Sequence, residues 1–238
     1  MRHVFRFLGQ PRDSGDWKIQ PDDADHATKV LRLKAGTLCE VTDGLGRWCR
    51  GALSLTRDGA FVEPEEATFE AKDAHSFSLG IGALRFKALD EIIPSLVELG
   101  IDQLHVFHQA GTDGDRLSDR AQGRWTRIIE EAVKQSKRAW LPRLTSHASL
   151  KAFLDSLAEP FTRLVLDPDG DISLASVPVP GQVLLLVGGE RGFDAMETQV
   201  LAAEGFKGVR LAKPVLRATT AAVGACAVMA ARKLGDFR

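Results

Sequence analysis

The run Val183-Leu184-Leu185-Leu186-Val187 is apolar at every position and stops at Gly188-Gly189. It is too short to span a membrane and lacks the polar alternation of a half-exposed strand. Such a run fits a strand covered on both faces, as in parallel sheets flanked by helices. Asp194 with Glu197 three residues on is a capping-box signature, and Gly205 is a natural helix stop, which together predict a helix over 195–204. Short apolar runs at 77–82, 104–107, 164–166 and 208–211 predict further strands. Helices are expected at 90–99, with Pro94 kinking it, at 124–138, where Trp125, Ile129 and Val133 share a face, and at 219–233. This alternation predicts an α/β domain with a mostly parallel sheet.

Before residue 72 the pattern is different. Strands are expected at 36–42, 48–54 and 60–63, separated by Asp43-Gly44 and Asp58-Gly59. Asp-Gly between apolar runs is a strong hairpin signal, because glycine accepts the positive φ of tight turns. Strands at this spacing predict a small β-barrel. Two domains follow, 1–72 and 73–238, with the acidic, Pro64-bearing segment 63–74 as linker.

Composition sets outer limits. No stretch approaches a membrane span, and Met1 to Arg6 lack the apolar core of a signal peptide. Cys39, Cys49 and Cys226 are too few and scattered for a disulfide framework or a zinc site, so a reducing, cytoplasmic setting is expected. A formal charge of −1 requires any nucleic-acid-binding face to be local. No metal is expected: His105 and His108, on a strand, would point to opposite faces.

Ligands of parallel sheets bind outside the carboxyl ends of strands, which draws attention to Gly188-Gly189. That turn is not a phosphate-binding P-loop, since no Gly-Lys-Ser/Thr follows, and Gly80-Ile81-Gly82 lacks the third glycine of a dinucleotide fingerprint. By itself a Gly-Gly turn is equally often purely structural.

Five ordered segments carry a more specific signal. HATKVLRLKAG at 26–36, followed by Asp43-Gly44, resembles the PUA-like barrel of the RsmE family. PSLVELGI at 94–101 resembles that family's KxxELGV helix, and EAVKQSKR at 131–138, with Pro142 behind it, resembles EAxEQSxRxxxP. LLVGGERGF at 185–193 resembles xxIGPEGGF, and LAKPVLRATTA at 211–221 resembles LGxRILRxETA. The departures are Ser95 for lysine, Gly189 for proline, Arg191 for glycine, Ala212 for glycine, Pro214 for arginine and Thr219 for glutamate.

The resemblance implies a SPOUT-type, trefoil-knotted α/β domain behind a PUA-like barrel. It implies S-adenosylmethionine (SAM) as cofactor, methyl transfer to N3 of a uridine in small-subunit (16S) rRNA, and a homodimer. The cofactor would sit in loops 166–170, 187–192 and 211–216, which assigns Leu166, Val187, Gly188, Gly189, Glu190, Gly192, Leu211, Val215, Leu216 and Thr220 to it. Arg217 is the expected catalytic group for orienting the base or stabilising an anionic uracil. Glu190 is the candidate proton acceptor, or else a buried carboxylate held by loop amides. Arg191 is expected to crowd the pocket unless its stem points outward.

RNA, as rRNA or the small ribosomal subunit, is expected at Arg2, Arg6, Lys29, Arg32 and Lys34 of the barrel and at Gln135 and Arg138 of the basic helix. Any single charged residue can equally be a solvated surface group. The small-residue helix 219–233 allows close packing, internally or across a dimer. Three classes therefore stand: an active methyltransferase; a divergent relative that binds RNA without catalysis or has another RNA target; and an α/β enzyme using another nucleotide cofactor.

Overall fold

The computed structural model describes residues 4–109, 118–158, 161–178 and 181–234. The chain forms two compact units, one of residues 1–72 with 130–141 and one of residues 73–129 with 142–238.

The first unit is a closed barrel of β1 (Phe5–Pro11), β2 (Trp17–Ile19), β3 (Leu38–Thr42), β4 (Arg47–Thr56) and β5 (Gly59–Phe69), in the order β1-β2-β5-β4-β3. Parallel pairing of β1 with β3 closes it. Phe7, Trp17, Ile19, Val41, Leu53 and Val62 fill it, together with Cys39 and Cys49, whose thiols burial pushes up to about 11 and about 12. Both expected Asp-Gly turns join neighbouring strands. At the first, Gly44 (φ +71°) and Gly46 (φ +97°) need glycine's freedom, and a Cβ on Gly46 would lie 2.6 Å from the Trp140 ring. A helical segment, α1 (Pro21–Asp25) running into a π-helical turn (His26–Val30), links β2 to β3.

The linker expected from residue 63 begins later, because β5 continues to Phe69. Pro64 and three glutamates there suggested a break, yet the strand absorbs them. Pro64 stands opposite Gly51, where the ladder shifts register. A bulge tolerates the missing N–H. Gly51 permits the close approach, since a Cβ there would fall 1.8 Å from the Glu63 carbonyl oxygen. Past Val62 the strand pairs with β4 alone, leaving the glutamates in solvent.

The second unit holds a seven-stranded, wholly parallel sheet in the order β10-β12-β9-β11-β6-β7-β8. The strands are β6 (Phe77–Gly82), β7 (Gln103–Phe107), β8 (Arg143–His147), β9 (Thr162–Leu166), β10 (Ile172–Ser173), β11 (Val183–Val187) and β12 (Lys207–Arg210). β6 and β11 are buried along their whole length, as their apolar runs require. The helices are α2 (Phe86–Glu98), α3 (Asp119–Ser136), α4 (Leu150–Asp155), α5 (Ala195–Ala203) and α6 (Ala218–Leu234).

α2 starts four residues earlier than expected and continues through Pro94. α3 also starts earlier, and at Glu130 it passes from the second unit to the first. It ends in a Schellman motif: Lys137 takes a positive φ of 60° and the Arg138 amide donates to the Val133 carbonyl at 3.2 Å. In α6 the small residues Ala221, Ala222 and Ala225 are buried, and the helix packs on α2, β6 and β11. The small residues on its buried side therefore serve internal packing, while Ala227 and Ala231 are exposed. β1, β2, α1, β8, α4 and β10 had no counterpart among the elements read from the sequence.

Candidate functional site

β12, β9 and β11 are neighbours in the sheet, so their carboxyl ends lie side by side. The chain leaving them, together with Ala218 and Ala221 of α6, encloses a cavity of about 250 Å³. Leu166, Val187, Gly188, Gly189, Glu190, Gly192, Leu211, Val215 and Leu216 all line it. Thr220 does not. Asp167, Pro168, Arg191, Arg210, Ala212 and Pro214 complete the wall. Val187 is buried, Leu166, Leu211 and Leu216 are half-buried, and Val215 stands 80% exposed.

The segment after β11 is a tight turn. The Gly192 amide donates to the Gly189 carbonyl at 3.0 Å, and Gly192 has φ +70°. A Cβ on Gly188 would lie 2.6 Å from the Gly192 carbonyl carbon, so this position requires glycine. Arg191 has no positive φ, and arginine there strains no backbone; its side chain is exposed at the cavity. Glu190 is also exposed. This corrects the expectation of a buried carboxylate held by loop amides, because the turn satisfies its closing amide with its own carbonyl. Beyond the turn, Asp194 and Glu197 form the expected capping box: the Asp194 side chain accepts from the Glu197 amide at 2.8 Å, and Glu197 Oε2 accepts from the Asp194 amide at 3.1 Å.

Arg217 is exposed and directly precedes α6, where its carbonyl accepts from the Ala221 amide at 2.8 Å. It adjoins the cavity in sequence without lining it.

Gln109 was not singled out from the sequence. It lies just past β7, 2% exposed. Its Oε1 accepts from the Gly189 amide at 2.7 Å, while Nε2 donates to the Gly192 carbonyl at 3.2 Å and to Glu197 Oε2 at 2.9 Å. The only signal available was a glutamine at the end of an apolar strand.

The candidate RNA residues differ in their surroundings. Arg2 lies outside the described residues. Arg6 is only 8% exposed; its Nε donates to Glu40 Oε2 at 3.0 Å, a second nitrogen donates to the Lys137 carbonyl, and the guanidinium stacks 5.0 Å from the Trp48 ring. Its charge is neutralised inside the barrel unit, unlike that of a free phosphate contact. Lys29, Arg32, Lys34 and Gln135 are exposed, with Lys29 paired to Asp25 at 2.7 Å, and Arg138 is half-buried. His105 meets His147 on the neighbouring strand, Nδ1 to Nε2 at 3.1 Å, and burial lowers the pKa of both, that of His105 to about 4.

With this geometry in hand, likeness to known proteins is informative. The model of an RNA methyltransferase domain matches residues 71–230, and that of an RNA methyltransferase PUA domain matches residues 19–65. A Synechocystis sp. protein named Ribosomal RNA small subunit methyltransferase E is 31% identical over 201 residues, covering 81% of this chain and 65% of that protein, so the chain spans just under two thirds of that relative's length. A Mycobacterium bovis protein of the same name is 26% identical over 228 residues, covering 90% and 87%. Among solved structures, Ribosomal RNA small subunit methyltransferase E from Neisseria gonorrhoeae, bound to S-adenosyl methionine, superposes with a TM-score of 0.85 at 23% identity, covering 98% of each chain, and shares the fold. The chain belongs to the RNA methyltransferase family, and the resemblance of its five ordered motifs to RsmE is borne out.

Proposed function

We propose that the protein is a SAM-dependent methyltransferase acting on N3 of a uridine in small-subunit rRNA. The observation that carries this reading is the convergence of three neighbouring strand ends on one cavity, closed by a turn in which Gly188 and Gly192 have no room or no conformation for another residue. The names and the bound cofactor of the relatives support it.

The cavity fits such a cofactor in kind. Leu166, Val187, Leu211 and Leu216 offer apolar contact to a flat ring, and the glycine turn lets main-chain groups approach its edge. Bound there, SAM supplies an activated methyl group on a sulfonium. The protein must align the uracil nitrogen with that methyl, let the N3 proton leave and stabilise charge developing on the ring. Arg217, exposed beside the cavity, is assigned to the charge. Glu190, an exposed carboxylate on the cavity wall, is the candidate to take the proton.

The proposal extends to the whole chain. Residues 1–72 would dock RNA through Lys29, Arg32 and Lys34, and residues 73–238 would form the knotted catalytic domain. The protein would work as a cytoplasmic homodimer. No helix among the described residues is long and apolar enough to cross a membrane.

Calorimetric titration with SAM and with NAD is the first test; binding of NAD without SAM refutes the assignment. The second is methylation of small subunits from a methylation-deficient strain, with the product mapped by mass spectrometry. Arg217→Ala is expected to lower the turnover rate at least about a hundredfold while SAM affinity changes little. Unchanged turnover would remove Arg217 from the chemistry.

A further inference from the structure

The cavity wall explains what touches a ligand but not what holds the wall. The turn at residues 188–192 is built largely of glycine, the residue with most conformational freedom to lose, so something must fix it. A polar side chain that reaches it without lining the cavity is Gln109.

We infer that Gln109 is a positioning residue that presets the cofactor turn, an inference that rests on the SAM reading of the cavity. A single side-chain amide spans the turn, accepting at its start from Gly189 and donating at its end to Gly192. The same nitrogen donates to Glu197, whose carboxylate already caps α5. Strand end, turn and helix cap are thereby joined through one group. The assignment of the amide's oxygen and nitrogen is forced, since the partner at Gly189 is a donor and the other two are acceptors.

The local sequence is built around this contact. A Cβ on Gly82 would lie 2.0 Å from Gln109 Oε1, and one on Gly189 would lie 2.9 Å from it. Gly189 also supplies the amide that Gln109 accepts from; a proline there, as in the motif this segment resembles, has no N–H and would set its ring against the glutamine. Gln109 and Gly189 therefore form a matched pair. Glutamate could not replace the glutamine. It would keep the acceptor for Gly189 but lose both donated bonds and set a second carboxylate against Glu197.

The test compares the wild type with Gln109→Glu, Gln109→Ala, Gly189→Pro and the double variant Gln109→Ala/Gly189→Pro. Circular dichroism confirms folding of each. The first readout needs no ligand: amide hydrogen exchange at residues 188–192 should quicken at least about tenfold in Gln109→Glu and Gln109→Ala. The second is SAM affinity, expected to fall about tenfold or more in Gln109→Glu and in both other single variants. In the double variant it should recover above either Gln109→Ala or Gly189→Pro, because the orphaned amide and the clash are removed together. In turnover assays the KM for SAM should rise while kcat changes less than threefold.

Unchanged exchange in Gln109→Glu, an unchanged SAM affinity beside faster exchange, or additive losses in the double variant would each overturn the inference. A wild type that binds no SAM would instead overturn the cofactor reading, and the exchange result would still decide whether Gln109 holds the turn. If Gln109→Glu fails to fold, Gly189→Pro and the double variant carry the same decision.

Discussion

Single residues decide how much freedom the site retains. Gly188 has no space for a side chain, whereas Arg191, three residues from it, has ordinary backbone and an exposed side chain. Departures from a motif are therefore unequal, and Arg191 is less consequential than its change of size and charge implied. Sequence patterns cannot rank such positions, because the constraint on Gly188 comes from the carbonyl carbon of a residue four places on. Gln109 was illegible for a related reason: one glutamine carries no periodicity, and Gly189, Gly192 and Glu197, to which it bonds, lie some 80 residues away. His105 illustrates the same point and yields a prediction. Burial, reinforced by nearby His147 and Arg143, lowers its pKa from the ordinary 6.5 to about 4. Between those values the unfolded chain holds more protons than the folded one, so stability is complete above about pH 6.5 and declines as pH falls toward 4. Urea midpoints measured from pH 7.5 to 4.5 should fall less steeply in His105→Phe than in the wild type; parallel curves would show that His105 does not contribute.

At the level of elements, legibility followed burial. β6 and β11 were read with the boundaries they have, because strands covered on both faces are written as unbroken apolar runs. β8 was missed, since its sequence RLTSH holds one apolar residue and lies at the sheet edge. The linker was placed too early for the opposite reason: Pro64 and its glutamates look like a break, and the bulge opposite Gly51 accommodates them within β5. α5 was legible through its cap alone, and that cap can be tested. Asp194→Ala removes the bond to the Glu197 amide and should lower the unfolding free energy by about 1 kcal/mol in denaturant titrations. It should also quicken exchange in the preceding turn, because Glu197 holds Gln109 as well. A variant as stable as the wild type would mean that the capping box is dispensable.

For the whole molecule, the proposed dimer is better supported by α5 than by α6. Ala221, Ala222 and Ala225 of α6 are occupied internally, while Met196 and Val200 on α5 are 76% and 46% exposed and Val215 is 80% exposed. Met196 and Val200 stand one helical turn apart, where a second copy of the chain could cover both at once. At micromolar concentration the wild type should sediment as a dimer and Met196→Lys/Val200→Glu as a monomer; a monomeric wild type would remove the dimer from the proposal.

The order of strands in the parallel sheet also fixes the order of events in time. β12 is slotted between β9 and β10, although both precede it in the chain, and among the described residues β10 pairs with no other strand. During synthesis the flank of β9 must wait, unpaired, until residues 207–210 leave the ribosome. One whole wall of the cavity, residues 210–216, arrives only after that insertion. A chain stalled before residue 207 lacks both β12 and that wall, and is expected to bind no cofactor.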